Sequence, residues 1–177
     1  MSPSAEAPIT LKEVQLKLGV PQHVLIHLCE KGVIVPDFAE TSGRGKRREF
    51  SRRNLFEFGV ALALRAFEVP VATTAFVVRL LRSFERATAK SLDGFELLPF
   101  IAESGGDIEL CLFDGRTLVF GARGGGLPKP LLLEVELDPT ADLAAARPRV
   151  SKIDQLPTHF EGRLQLRLKE IAKRITE

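Results

Sequence analysis

Six basic residues fall in the stretch TSGRGKRREFSRRN, residues 41–54: Arg44, Lys46, Arg47, Arg48, Arg52 and Arg53. One acid, Glu49, interrupts them. Clustered lysine and arginine displace the counterions condensed on a nucleic-acid backbone, so this stretch has the composition of a polyanion contact. Gly43 and Gly45 allow positive φ and close backbone approach at a loop tip. Arg52 and Arg53 follow Ser51, a good N-cap, which places them in the first turn of a helix. Free N–H groups there attract phosphate, although the helix dipole disfavours each arginine by roughly a few tenths of a kcal/mol. A solvated loop has the same composition, so the surrounding elements decide between the two readings.

Gln22, His23 and His27 form a second set. On a helix they point away from Val24, Leu25 and Leu28. Glutamine there can make a bidentate contact with adenine, and His23 can donate to base acceptors or phosphates. His23 and His27 also have the spacing of a zinc pair, but Val24 stands where the zincin pattern needs glutamate. An exposed polar face is the simpler alternative for all three.

Other constellations do not point to catalysis. GARGGGLPKP (121–130) is glycine-rich but lacks the Gly-Lys-Ser/Thr ending of a phosphate loop. Glu134, Glu136 and Asp138 alternate along a strand, as a metal site or a solvated sheet face would. His159 is the single histidine of the second half, which leaves no Ser-His-Asp or Cys-His arrangement. Cys29 and Cys111 make neither a disulfide framework nor, alone, a metal site. The expectation is therefore no enzyme and no cofactor.

The elements that would position these residues follow from periodicity. Thr10 and Glu13 have capping-box spacing, and Leu11, Val14 and Leu18 continue at helical spacing to Gly19. Pro21 suits the start of a second helix, which Gly32 stops. Two short helices about a glycine turn make a helix-turn-helix. Val33–Val35 reads as a strand paired with Arg47–Phe50, with a polar loop between them: a wing, pinned to the core by Phe50. Ser51 caps a third helix to about Phe67, and Thr73 or Thr74 a fourth. The latter turns Arg79, Arg82 and Arg86 to its outer face, where solvation is the expected state.

After Gly94 the pattern changes. Phe95–Ala102 reads as a short helix. IELCLF (108–113) and TLVFGA (117–122) flank Asp114–Gly115, a strong hairpin signal. LLLEVELD (131–138) reads as a third strand and Val150–Leu156 as a weaker fourth. A last helix is expected from Thr158, with a stripe at Phe160, Leu164, Leu168, Ile171 and Ile175 suited to docking or self-association. The fold class is thus α+β. A winged helix-turn-helix domain over 9–90 precedes a small α+β domain over 95–177, with an antiparallel β-meander and a C-terminal helix.

The order Glu13–Val14, Leu18–Gly19–Val20, Leu25, Gly32–Pro36 and Arg48–Glu49–Phe50–Ser51 resembles the DNA-binding domain of the MerR family of bacterial transcription regulators. The resemblance covers roughly residues 9–86. It implies a sequence-specific regulator of double-stranded DNA, acting as a homodimer, with the second helix in the major groove and the wing on the backbone. Where the family carries an Arg-Tyr phosphate contact after the leucine, this chain has Ile26 and His27, which shifts load to the wing. The family's long dimerising helix is also missing, since Gly94 follows soon after Lys90. An excisionase-like architectural DNA binder, or a winged protein-interaction adapter, shares much of this pattern.

Charge agrees with a polyanion partner for the first half. Residues 1–90 carry 14 Lys/Arg against 9 Asp/Glu, and residues 91–177 carry 11 against 14. The second half is expected to bind a protein partner, a small effector or another copy. The N-terminus lacks the basic and apolar regions of a secretory signal, and no apolar run is long enough to span a membrane, so a cytoplasmic, nucleoid-associated location is expected.

Overall fold

Thr10 and Glu13 close their capping box. Thr10 Oγ1 accepts from the Glu13 N–H at 3.3 Å, and Glu13 Oε2 accepts from the Thr10 N–H at 2.6 Å. The computed structural model describes residues 7–38, 48–90, 92–137 and 150–176. Helix α1 (Leu11–Leu18) ends at Gly19, whose φ of 64° lies in the left-handed region that terminates helices. Helix α2 (Gln22–Glu30) begins directly after Pro21. Val14, Leu25 and Leu28 lock the two helices into the core.

The strand pairing at the wing root differs from expectation. Glu49–Phe50 (β2) pairs antiparallel with Ile9–Thr10 (β1), Ile9 opposite Phe50. Val33–Val35 forms no strand. The Val33 and Ile34 N–H groups both reach the Leu28 carbonyl, at 2.9 and 3.3 Å. Donors used to close a helix end are not free for a ladder. Most of the expected wing loop, including Arg44, Lys46 and Arg47, lies outside the described residues.

Helix α3 (Arg52–Ala66) starts at Ser51, with Asn54 completing its capping box. Leu55, Phe56, Phe58, Val60, Ala61 and Leu64 bury it on several sides. Phe50 packs edge-on against Phe58 with centroids 5.2 Å apart, the expected peg. Helix α4 (Val71–Ala89) starts after Pro70 rather than at Thr73 or Thr74. Thr74 is fully buried inside it, and its hydroxyl donates back to the Pro70 carbonyl at 3.0 Å. Helix α5 (Leu97–Ala102) is short.

Among the described residues of the second half is an antiparallel sheet of five strands in the order β6-β5-β4-β3-β7. These are β3 (Asp107–Phe113), β4 (Thr117–Arg123), β5 (Leu131–Glu136), β6 (Ser151–Ile153) and β7 (Arg163–Arg167). Asp114 and Gly115 turn the β3–β4 hairpin with φ of 49° and 68°, the two positive values a type I′ turn requires. Strand β7 corrects the sequence reading, which began the last helix at Thr158. Leu164 and Leu166 alternate along it opposite Leu112 and Leu110. The Leu164–Leu168 spacing fits both periods, and the unpaired edge of β3 selects the strand. Helix α6 is therefore only Leu168–Thr176.

The segments 9–90 and 95–177 share one hydrophobic core. Phe84 of α4 stacks on Phe120 of β4 at 4.6 Å between centroids. Helix α6 returns to pack on α1 and α3, burying Leu168, Ala172 and Ile175. Its apolar stripe, expected as a docking or self-association face, docks inside the chain. Gly59 of α3 makes room for it: a Cβ there would lie 2.6 Å from Ile171 Cγ2. No helix among the described residues is long and apolar enough to cross a membrane.

Candidate nucleic-acid interface

The fold sorts the predicted contact residues into distinct environments. On α2, Gln22, His23 and His27 are exposed while Leu25 and Leu28 face the core. Ile26, which stands where the family carries arginine, is half-buried. Arg48 is half-buried at the entrance to β2, and Arg52 is exposed in the first turn of α3. Arg53 differs from the rest. Its guanidinium donates to Glu85 Oε1 of α4, and Glu85 Oε2 accepts the Leu97 N–H at 2.9 Å. That pairing holds Arg53 against the body of the protein.

The residues on either side of the basic segment are clasped by a network that sequence reading missed. Asn54 Oδ1 accepts the Asp37 N–H at 2.8 Å and the Ser51 N–H at 3.3 Å. Asn54 Nδ2 donates to the Val35 carbonyl at 3.0 Å and to Glu57 Oε2 at 2.9 Å. The same side chain thus touches Val35 and Asp37 on one side of the basic segment and Ser51 on the other. Ser51 Oγ donates to Asp37 Oδ2 at 2.5 Å. Arg82 of α4 completes the set through Nε to Glu57 Oε1 at 2.8 Å and Nη2 to Asp37 Oδ1 at 2.9 Å.

Burial explains why the network is satisfied throughout. Asn54 is 0% and Glu57 2% exposed. A carboxylate taken that far from water needs a cation and further donors. The Glu57 hydrogen bond raises the Arg82 pKa, against partial desolvation, and the charges of Glu57 and Asp37 add to it. Arg82 was expected on a solvated stripe. Its neighbours come closer to that reading: Arg79 lies over the Phe76 ring at 5.5 Å, and Arg86 reaches Ser83 Oγ at 3.2 Å. The available signal was Glu57 itself, a lone carboxylate inside the apolar run Leu55–Val60.

Beside the network lies a cleft of about 760 Å³, bounded by Asp37, Phe38, Ser51, α3, α4, α5 and Ile175 of α6. Elsewhere, Glu134 and Glu136 lie on the outer sheet face, where Glu136 Oε1 accepts from Thr117 Oγ1 at 3.2 Å. Asp138, the third of that row, lies outside the described residues. Among the described residues, no three His, Cys, Asp or Glu side chains are placed to hold a metal ion. Cys111 is buried on the sheet, and burial pushes its thiol pKa up.

No protein-family model and no curated protein matches the chain.

Proposed function

We propose that the protein is a sequence-specific double-stranded DNA-binding transcriptional regulator of MerR type. The observation that carries this reading is the arrangement of α2. Its apolar side is sealed into a helix-turn-helix while Gln22, His23 and His27 stand in solvent. The chain leaving α2 is then clasped by Asn54 at the root of the segment holding Arg44, Lys46, Arg47 and Arg48. In this reading α2 enters the major groove, and the basic segment with Arg52 neutralises phosphates. Arg53 leaves the contact set, because Glu85 already holds it. One such module reads few base pairs, so a homodimer on paired half-sites supplies the remaining specificity. The α6 stripe is not its interface.

A random-sequence duplex selection at two salt concentrations tests the proposal. The expected result is an enriched motif together with affinity that falls steeply with salt. Binding with the salt response but no motif would instead favour an architectural DNA binder. No binding at low salt would favour a protein-interaction adapter, a reading that the Arg53–Glu85 pair supports.

A further inference from the structure

We propose that the cleft beside Asp37, Ser51 and Glu85 binds a small amphipathic organic cation. Its volume of about 760 Å³ is that of a small-molecule site. Phe56, Leu81, Leu97 and Ile175 supply a buried apolar wall, and Phe38, 47% exposed, stands at the rim. Among the described residues, five carboxylates line the cleft against two arginines: Asp37, Glu57, Glu85, Glu96 and Glu103 against Arg52 and Arg53.

The inner three acids already have cations. Arg82 holds Asp37 and Glu57, and Arg53 holds Glu85. Glu96 and Glu103, at the two ends of α5, have no cation partner among the described residues. Among the described residues the charge left over is therefore negative, and it borders an apolar wall. A ligand with a hydrophobic body and one ammonium head satisfies both. A wholly apolar ligand would desolvate carboxylates without replacing their water, and an anion would be repelled by them.

The position of the cleft gives occupancy a consequence. In sequence, Asp37 and Phe38 precede the basic segment Arg44–Arg48, and Ser51, Arg52 and Arg53 follow it. An ammonium group held at Glu96 and Glu103 adds positive charge to the cleft that Arg53 lines, which weakens the hold of Glu85 on that guanidinium and makes it available to a phosphate. This coupling alone rests on the DNA-binding reading.

Calorimetric titration of the full chain, without DNA, tests the site. The probes are phenylbutylammonium, phenylbutanol and phenylbutanoate, which share a body and differ in head charge. The ammonium should bind saturably, about tenfold more tightly than the alcohol, and the carboxylate weakest. The double variant Glu96→Gln, Glu103→Gln alters exposed side chains and should weaken the ammonium about tenfold with an unchanged circular dichroism spectrum. No saturable ammonium binding, equal binding of all three probes, a preference for the carboxylate, or indifference to the double variant would each overturn the site. With ammonium binding established, a DNA titration gives the second arm. Tighter DNA binding in its presence supports the coupling, and unchanged affinity overturns it. Failure to bind DNA at all sinks the regulator reading and leaves the cleft standing.

Discussion

Arg82 of α4 and Glu57 of α3 form a two-pronged ion pair, with Nε to Oε1 at 2.8 Å and Nη2 to Oε2 at 3.1 Å. The two ends are unequal. Glu57 keeps 3% of its side-chain exposure and Arg82 keeps 39%. Loss of the arginine therefore strands a buried charge, whereas loss of the carboxylate leaves a guanidinium that still reaches Asp37 and water.

The asymmetry predicts the outcome of a double-mutant cycle. Arg82→Ala should destabilise the protein by about 3 kcal/mol, the order expected for an uncompensated buried charge. Glu57→Gln should cost less, and adding it to Arg82→Ala should recover part of the loss. Urea unfolding of the four proteins measures this, and strictly additive effects would show that the pair is not coupled.

Gly59 sets a second expectation. In an unconstrained helix Gly→Ala would stabilise by about 1 kcal/mol. Here the new methyl would meet Ile171 Cγ2 at 2.6 Å, a branched atom next to its own backbone. Gly59→Ala should therefore destabilise, by about 1–3 kcal/mol for overpacking. Ile171→Ala added to it should reverse the sign of the Gly59 change. Thermal melts of the single and double variants decide.

The first helix carries a pH signature. The hydrogen bond from the Thr10 N–H, and then that from its hydroxyl, lowers the Glu13 pKa. A carboxyl lowered on folding stabilises above its unfolded pKa, and that contribution is lost as pH falls through the folded value. Glu13→Gln should flatten the loss of stability through the acidic range and leave the slope near neutral pH unchanged. An identical pH profile for variant and parent would remove Glu13 from the account.

The basic residues should separate in a DNA titration. Arg47→Ala and Arg48→Ala should each flatten the slope of log affinity against log salt by about one unit. Arg53→Ala should change it far less, because its charge already faces Glu85. Gln22→Ala should alter the selected sequence more than the overall affinity. Equal slopes for all three arginine variants would refute this sorting, and an unchanged selected motif would remove Gln22 from base readout.

Local chemistry made much of the frame legible in sequence. Thr10, Gly19, Pro21, Ser51 and the Asp114–Gly115 turn act within four residues of themselves, so capping and turn rules located them. The hydrophobic periods likewise gave the α+β class and the inward faces of α2, α3 and α4. The composition of residues 41–54 raised the nucleic-acid reading before any contact was known.

Only the tertiary structure could decide which of two permitted partners each segment takes. Val33–Val35 had strand composition, yet its N–H groups close α2, and Ile9–Thr10 takes the pairing with β2. Leu164 fitted a helical stripe, yet the open edge of β3 claims it. Arg82 had the spacing of a solvated face and Arg53 the position of a phosphate contact, yet Glu57 and Glu85 meet them across 25 and 32 positions of chain. Such choices depend on which donors, edges and charges folding brings together, and no local window of sequence contains that information.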